Sequence, residues 1–466
     1  MTLRRAAIDR WFPLGLAPLV LLVIAAIAFA LRFQTVGAKG DRERLVFWSF
    51  ADPHLAVYED LIEDFEREHG VEVEARNVHW RVIGRRLRAA MWSGEGVPDL
   101  VEIPQERVGS FFSGPVDQIG LEELTDRVNE LSPAGGTIRD DVIEPRLLAY
   151  SHRGGIYGFP HDVHPTAIAY RWRDFEQAGV DPATLTTWDA FIEAGQMLTR
   201  RERTPGSPTD DRRYMLSIDE LTCNTFQTFY AQRGGNWFDA DGALLLDSDL
   251  CYETLLWYIR MAYGPDRIAD GAAPFPNAAF FQAIKEGYYV CFICPDWLTK
   301  NIEDNLPGFG GELRLMPMPA FTEGGRRTST WGATMLSVTT AGDNEDLAWA
   351  LAKHLYMNDE VSRRTFAEMN IVSPFRSTWD QPVYAEPREY WSGQPIGKLF
   401  LDLAPEVPTL TNAPFVPLAQ QRATSVVSEV ASYYRVNGEN GFEAYTRERL
   451  DAAASYIRKQ MKRNPF

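Results

Sequence analysis

The chain has 466 residues, of which 45% are hydrophobic, and its formal net charge at pH 7 is −17. A chain of this length exceeds the size at which a single hydrophobic core is economical, so we expect at least two lobes. Because an acidic surface repels phosphate groups, the charge argues against nucleic acid as a partner.

The N-terminal segment predicts export. Residues 14–31 form an apolar run that follows three arginines, Arg4, Arg5 and Arg10. This order predicts that the N-terminus stays inside the cell and that the rest of the chain is exported. The run approaches the roughly 20 residues that span a bilayer, so we expect an uncleaved anchor and a linker within residues 1–40. Cleavage of a signal peptide near Ala30 is the alternative.

The exported chain begins by alternating strands and helices. The predicted elements are strands at 45–48, 71–73 and 98–102 and helices at 54–69 and 81–92. This alternation is typical of a parallel sheet with helices on both faces. Since ligands of such sheets bind beyond the carboxyl ends of the strands, the loops 48–52 and 102–105 are candidate binding loops.

A polar loop separates two apolar strands further along the chain. The strands are predicted at 156–159 and 166–172, and His161, Asp162 and His164 lie between them. Polar groups are costly to bury without partners, so this loop could pass between lobes and meet a ligand. The two histidines could instead bind a metal ion, but no third and fourth ligand is in view, and we expect no metal.

The second lobe is predicted to begin near residue 166. Its elements are helices at 188–199 and 222–233, a turn at 239–242 and a buried strand at 288–293. The aspartate-rich turn lacks the length and terminal Glu of an EF-hand loop, so we expect a plain β-turn. An apolar strand at 333–338 would return the chain to the first lobe, so that each lobe is assembled from separated segments.

The C-terminal third is predicted to be mainly helical. Helices are expected at 346–357 and 359–369, and an amphipathic helical pattern covers 422–463. Eight prolines between residues 374 and 417 predict an irregular, mostly non-helical connection.

Four cysteines lie in the exported part. Cys291 and Cys294 are three apart in a predicted strand, where their side chains point to opposite faces, which disfavours a bond between them. Cys223 and Cys251 are the candidate disulfide in an oxidising compartment. There is no second C-x-x-C to complete a zinc site.

The order of several motifs resembles the extracellular solute-binding proteins of ABC importers, and more narrowly their sugar-binding, maltose-binding-protein-like branch. The motifs are Phe65-Glu66, Pro98-Asp99, a Gly-x-Tyr-Gly-x-Pro turn at 155–160, Phe175 with Ala178-Gly179, Thr187-Trp188 and Gly234-Gly235. The resemblance implies a two-lobe, type II periplasmic-binding-protein-like α/β fold in which each lobe is a mostly parallel sheet flanked by helices. It implies lobe 1 at 41–165 plus 333–372 and lobe 2 at 166–332 plus 373–466.

The resemblance also implies a ligand site between the lobes. An aromatic ring offers a flat apolar surface to the C–H face of a pyranose, while carboxylates and guanidinium groups take the hydroxyls. In the resembled family a tryptophan at the end of a strand packs against the sugar, and here that residue is Trp297. The predicted ligand-binding residues are Trp48, Phe50, Asp52, Glu102, Asp162, Trp237, Asp296, Trp297, Trp331 and Arg376.

These features predict an anchored monomer outside the cytoplasmic membrane that captures a mono- or oligosaccharide and docks on ABC permease subunits. Neither a cofactor nor catalysis is expected, because no Gly-x-Ser-x-Gly, His-Glu-x-x-His or phosphate-binding glycine loop is present. The alternatives are a polyol, glycerol phosphate, polyamine or metal as ligand, a secreted carbohydrate-active enzyme, and a sensor that does not transport.

Overall fold

A computed structural model of the protein describes residues 43–205, 211–273, 275, 277–342 and 344–464. The predicted anchor at 14–31 lies outside these residues. Within the described ranges, no helix combines the length and the apolar character that a membrane crossing requires.

The first sheet has five strands in the spatial order β2-β1-β3-β12-β6. Their bounds are β1 Arg44–Ser49, β2 Glu72–Asn77, β3 Leu100–Pro104, β6 Phe159–Pro160 and β12 Thr334–Val338. β1 pairs in parallel with β2 and β3, as predicted for the alternating N-terminal elements. β12 enters the sheet after the chain has returned from the second lobe, and it is antiparallel to β3 and β6.

The second sheet has five strands in the order β11-β7-β10-β8-β9. Their bounds are β7 Thr166–Arg171, β8 Tyr214–Ser217, β9 Ala269–Asp270, β10 Tyr289–Pro295 and β11 Leu313–Pro317, and a separate hairpin pairs β4 Ser151–His152 with β5 Gly155–Ile156. β7 is antiparallel to β10 and β11, whereas β8 is parallel to β9 and β10. Both sheets are therefore mixed.

Sixteen helices of the described chain surround the two sheets. They are α1 Asp52–His69, α2 Ile83–Ser93, α3 Gln105–Val108, α4 Ile138–Asp141, α5 Glu144–Leu148, α6 Trp172–Ala178, α7 Trp188–Leu198, α8 Asn224–Gln232, α9 Asp249–Tyr263, α10 Ala278–Glu286, α11 Asp296–Asn305, α12 Glu345–Tyr356, α13 Asp359–Met369, α14 Ile396–Leu403, α15 Val416–Asn437 and α16 Phe442–Met461. α14 lies inside the proline-rich connection, which is therefore more helical than predicted.

The chain passes between the two sheets three times. The crossings, named here in chain order, are the first crossing 161–165, the second crossing 328–333 and the third crossing 370–375. Before the third crossing, α12 and α13 pack on α1 beside the first sheet, and after it α14 packs on β11 and β7 of the second. The backbone N–H of Val163 donates to the carbonyl of Val372 over 3.1 Å, so the first and third crossings run side by side.

The four cysteines form no disulfide in the structure. All four are buried and free, so the predicted Cys223–Cys251 disulfide is absent from the structure. The Cys223 thiol instead donates to the carbonyl of Gln420 over 3.4 Å, and burial raises its pKa to about 11.

The core of the second lobe is organised around Trp188, which is 1% exposed. Its ring packs edge-on against Phe191, Phe229 and Trp257 with centroid distances of 5.1–5.4 Å. We predict that Trp188→Ala lowers the free energy of unfolding by about 3–5 kcal/mol, because the cavity left in such packing cannot collapse.

Denaturant titration followed by circular dichroism measures this loss. Trp92→Ala is the matched control, because the Trp92 side chain is 93% exposed, and it should change stability by less than about 0.5 kcal/mol. Equal losses in the two variants would contradict the packing described for Trp188.

Candidate functional site

Half-buried aromatic and polar residues follow the carboxyl ends of strands in both sheets. In the first lobe, Phe50 follows β1, Trp80 follows β2, and Glu106 and Arg107 follow β3. In the second lobe, Trp297 follows β10. Trp297 packs against the hydrophobic cores of both lobes, so its ring lies where the lobes meet. These ends form the walls of the candidate cleft, as expected for open α/β sheets.

The wall of the second lobe is an aromatic cluster of Phe275, Trp297 and Trp331. The ring centroids are 5.6–6.0 Å apart, and the rings of Trp297 and Trp331 are nearly perpendicular. The indole N–H of Trp297 donates to the carbonyl of Trp331 over 2.8 Å, which fixes the orientation of the ring. Each side chain is half-buried and keeps part of its surface exposed.

A small recess opens beside this aromatic cluster. It is lined by Phe275, Phe280, Phe292, Ile218, Ile293 and Trp331 together with the polar residues Ser217, Asp219 and Thr225. Burial raises the pKa of Asp219, although its carboxylate accepts hydrogen bonds from the N–H groups of Leu221 and Thr222 at 2.7 and 3.1 Å. Rings and hydrogen-bonding groups thus share one wall.

The wall of the first lobe contains residues that the sequence analysis missed. The Arg107 guanidinium lies 5.7 Å from the centre of the Trp80 ring, and its buried Nε has no hydrogen-bond partner among the described residues. Burial raises the pKa of Glu106. The predicted third strand ended at Glu102, whereas β3 continues to Pro104, and this shift moves the binding loop to 105–107. The same rule about strand ends also indicates the loop after β2, which contains Trp80.

Glu102, a predicted ligand contact, is fully buried in a network of the first lobe. Its carboxylate accepts hydrogen bonds from the hydroxyls of Ser49, Tyr58 and Tyr356 and lies 3.0 Å from His54 Nδ1. Burial alone would raise the Glu102 pKa, but the charge and hydrogen bond of His54 lead the interactions that lower it to about 2. Glu102 is therefore ionised, with its oxygens occupied by protein donors.

Asp162 and Asp296, two further predicted contacts, share one buried histidine. His164 Nδ1 lies 2.6 Å from Asp296 Oδ1, and His164 Nε2 lies 3.1 Å from Asp162 Oδ2. Burial would lower the His164 pKa, but the two carboxylates raise it to about 9, so the ring is an imidazolium that donates to both. His164 has a φ of 51°, in the left-handed region that favours glycine, and the two ion pairs offset this strain.

This ion-paired triad connects all three crossings. Asp162 Oδ1 accepts from the N–H of Thr334, at the end of the second crossing, over 3.3 Å. Asp296 Oδ2 accepts from the N–H of Val372, in the third crossing, over 2.9 Å. We call Asp162, His164 and Asp296 the hinge triad. Its position indicates a structural role between the lobes.

His161 joins the hinge triad to the Glu102 network. His161 Nδ1 lies 3.2 Å from Asp162 Oδ2, and its ring centroid is 4.4 Å from that of His54. Burial and the neighbouring His54 lower the His161 pKa below its ordinary value, which favours the neutral imidazole. One buried polar path therefore runs from Glu102 in the first lobe to Asp296 in the second. No group of three or more His, Cys, Asp or Glu among the described residues could hold a metal ion.

A buried arginine also supports the second crossing. Arg146 is 1% exposed, and it donates from Nη2 to the Thr330 hydroxyl over 2.8 Å. It forms no ion pair within the described chain, and its Nε lacks a partner there, as does the hydroxyl of the buried Tyr150. A guanidinium buried in this way is a candidate donor to a ligand, and nothing in the local sequence pattern distinguishes it.

The remaining predicted residues lie outside the aromatic cluster. Trp48 and Trp237 are 1% and 2% exposed and belong to the hydrophobic cores of the first and second lobe. Asp52 is exposed and accepts a hydrogen bond from Asn77. Arg376 is exposed beside Ser377, which donates to Asp141. For all ten residues, contact with a ligand stays a prediction.

Known proteins share this architecture and this sequence pattern. The profile described as bacterial extracellular solute-binding protein matches residues 51–361. The arabinooligosaccharide-binding protein of Halalkalibacterium halodurans is 26% identical, with 83% of this chain and 84% of that protein covered. The corresponding protein of Bacillus subtilis is 24% identical over 84% and 87%. The solved structure of the sugar-binding protein MalE from Xanthomonas citri superposes with a TM-score of 0.71 at 19% identity, covering 90% of this chain and 98% of that chain.

The hinge triad predicts how stability depends on pH. The folded pKa of His164, about 9, lies above its ordinary value of 6.5, so the imidazolium stabilises the fold fully below pH 6.5. This contribution, on the order of 3 kcal/mol, is lost as the pH rises from 6.5 through 9. His164→Gln should remove this loss and lower stability at pH 6, because two buried carboxylates lose their cation.

Denaturant unfolding of the wild type and the variant at pH 6 and pH 9 measures both effects. His79→Gln replaces an exposed histidine and should keep the wild-type pH profile. The wild type should lose more stability between pH 6 and pH 9 than His164→Gln does. Equal losses in the two proteins would contradict the assignment of the charge to His164.

Proposed function

Because this chain belongs to the bacterial extracellular solute-binding proteins, we propose that it captures an oligosaccharide outside the cytoplasmic membrane and delivers it to an ABC importer. Two relatives that cover most of the chain are arabinooligosaccharide-binding proteins, and MalE of Xanthomonas citri, which has the same fold, is a sugar-binding protein. The family and these relatives are binding proteins, and the chain is proposed to bind its ligand without transforming it.

The observation that carries this proposal is the aromatic cluster of Phe275, Trp297 and Trp331. Its half-buried rings offer apolar surface next to hydrogen-bonding groups at the strand ends, which is the division of surface that a sugar ring requires. Trp80, Glu106 and Arg107 on the opposite wall supply a second ring, an acceptor and a donor. Of the ten residues predicted from sequence, Trp297 and Trp331 have the strongest support as ligand contacts.

Ligand capture is proposed to stabilise the closed arrangement of the lobes. A ligand that touches both walls gains contacts only when they approach, so it shifts the population toward the closed form. The hinge triad supports this motion, because it holds the three crossings together while each lobe keeps its own core. The closed form would then be the one that docks on the permease.

Further features of the proposal come from the sequence. Residues 14–31 would anchor the protein to the outer face of the cytoplasmic membrane, and the protein would act as a monomer. The lobes would comprise 41–165 plus 333–372 and 166–332 plus 373–466. The position of β12 supports this division, because Thr334–Val338 joins the first sheet and lies within the segment 333–372.

A thermal-shift screen against mono- and oligosaccharides, polyols, polyamines and divalent metals tests the proposed function. An oligosaccharide present at 100 times its Kd should stabilise the protein by about 2.7 kcal/mol. Stabilisation by a polyamine or a metal alone, with no response to any sugar, would contradict the proposal.

The aromatic cluster gives a sharper prediction. Trp297→Ala should weaken binding of the stabilising sugar by about tenfold to a hundredfold, because the ring loses its apolar contact with the ligand. At the same sugar concentration a hundredfold loss leaves only about 0.4 kcal/mol of stabilisation. Trp297→Phe should retain part of the affinity.

The measured quantity is the difference in stability between liganded and unliganded protein, because the loss of the Trp297 ring also affects packing in the unliganded protein. Trp172→Ala is the matched control, since Trp172 is half-buried too and donates to a backbone carbonyl, that of Gly311, over 2.9 Å. Full stabilisation of Trp297→Ala by the sugar would exclude this ring from the site.

A further inference from the structure

A cationic surface stands out on this acidic protein. Between residues 75 and 94 the sequence has five arginines and no aspartate or glutamate, although the net charge of the chain is −17. Three of these arginines, with one from the next loop, form what we call the arginine cluster: Arg81, Arg85, Arg88 and Arg107.

The members of the arginine cluster lie close to one another. The guanidinium groups of Arg81 and Arg107 lie 5.0 and 5.7 Å from the centre of the Trp80 ring. Arg107 also packs on α2 at Gly84. The Cβ of Arg107 lies 3.5 Å from the position that a side-chain Cβ would occupy at this glycine. Burial and the nearby charges of Arg107 and Arg85 lower the pKa of Arg88, as expected for cations that face each other.

The arginine cluster forms no ion pair within the described chain. The adjacent Glu106 interacts with the charge of Arg107 without forming an ion pair, and the charged neighbours that lower the pKa of Arg88 are both cations. The second lobe differs at its strand ends, where Glu220 pairs with Arg435 at 3.0 Å and Asp270 pairs with Arg267. Arg81, Arg85 and Arg88 are exposed, and neighbouring cations on one surface favour the binding of an anion.

The location connects the arginine cluster to the cleft. Trp80 and Arg81 follow the carboxyl end of β2, Arg107 follows that of β3, and Arg85 and Arg88 lie on the helix between these strands. A glycan bound at the strand ends and in contact with Trp80 would therefore have a negatively charged substituent within reach of the guanidinium groups. Planar guanidinium groups match a carboxylate through two parallel hydrogen bonds.

We propose that the bound oligosaccharide is acidic and that its carboxylate, as in a uronic acid unit, is recognised by the arginine cluster on the first lobe. This inference rests on the proposed function and narrows its ligand class. An anionic lipid surface is the competing partner for such cations. It is disfavoured because the ring at this cluster, Trp80, is half-buried between two guanidinium groups instead of protruding from the surface.

Calorimetric titration of the full chain with matched pairs of oligosaccharides tests the proposal. Each pair consists of a uronic-acid-containing oligosaccharide, such as trigalacturonate or a glucuronic-acid-substituted xylooligosaccharide, and its methyl ester, which has the same rings without the charge. At least one acidic member should bind about tenfold tighter than its ester at about 20 mM salt, and this preference should shrink at about 500 mM salt.

Arg85→Gln/Arg88→Gln should reduce that preference to about threefold or less while leaving binding of the ester unchanged. Arg139→Gln, an exposed arginine of α4 in the same lobe, is the control and should keep the preference. Equal binding of acid and ester, or a preference that survives the double substitution, would overturn the proposal while leaving carbohydrate capture intact.

Two further outcomes are decisive. If no oligosaccharide binds, charged or neutral, the proposed function fails and this inference fails with it. If the wild type binds vesicles of phosphatidylglycerol through Arg85 and Arg88 but does not distinguish acid from ester, the arginine cluster serves a membrane surface and the inference is wrong.

Discussion

Two buried carboxylates that share one imidazolium hold this structure together. Asp162 and Asp296 are both fully buried and come from different lobes, and neither could be ionised there without the charge of His164 between them. Their second oxygens accept from backbone N–H groups at the other two crossings. The relative position of the three crossings is therefore set by an ion-paired network. Such a network is directional, in contrast to the apolar cores on either side.

The same network is adjacent to the proposed ligand site. Asp296 begins α11 and accepts a hydrogen bond from the backbone N–H of Trp297 over 2.7 Å. The indole N–H of Trp297 donates to the carbonyl of Trp331 in the second crossing. The aromatic cluster is thus attached to the hinge rather than to the outer part of a lobe. A ring held at the hinge can contact a ligand without reorganising either core, so little of the binding free energy is spent on ordering the site.

The two walls of the cleft differ in charge. In the second lobe, Glu220 after β8 forms an ion pair with Arg435, whereas the arginine cluster of the first lobe forms no ion pair within the described chain. The acidic composition gives no indication of this contrast, because a net charge averages over the whole surface. Local charge at a cleft, together with aromatic rings, decides which class of sugar is favoured.

The sequence by itself determined the class of fold and the family. Periodicity placed the alternating strands and helices, and the order of short motifs identified the two-lobe binding proteins, because both signals are local in the chain. It also placed Trp297 at the end of a strand and Trp331 in the loop before another. Only the tertiary structure decided that Asp162 and Asp296 pair with His164 and that β3 runs on to Pro104. His164 and Asp296 are 132 residues apart, and the partner of a buried charge is set by proximity in space, which no local pattern records.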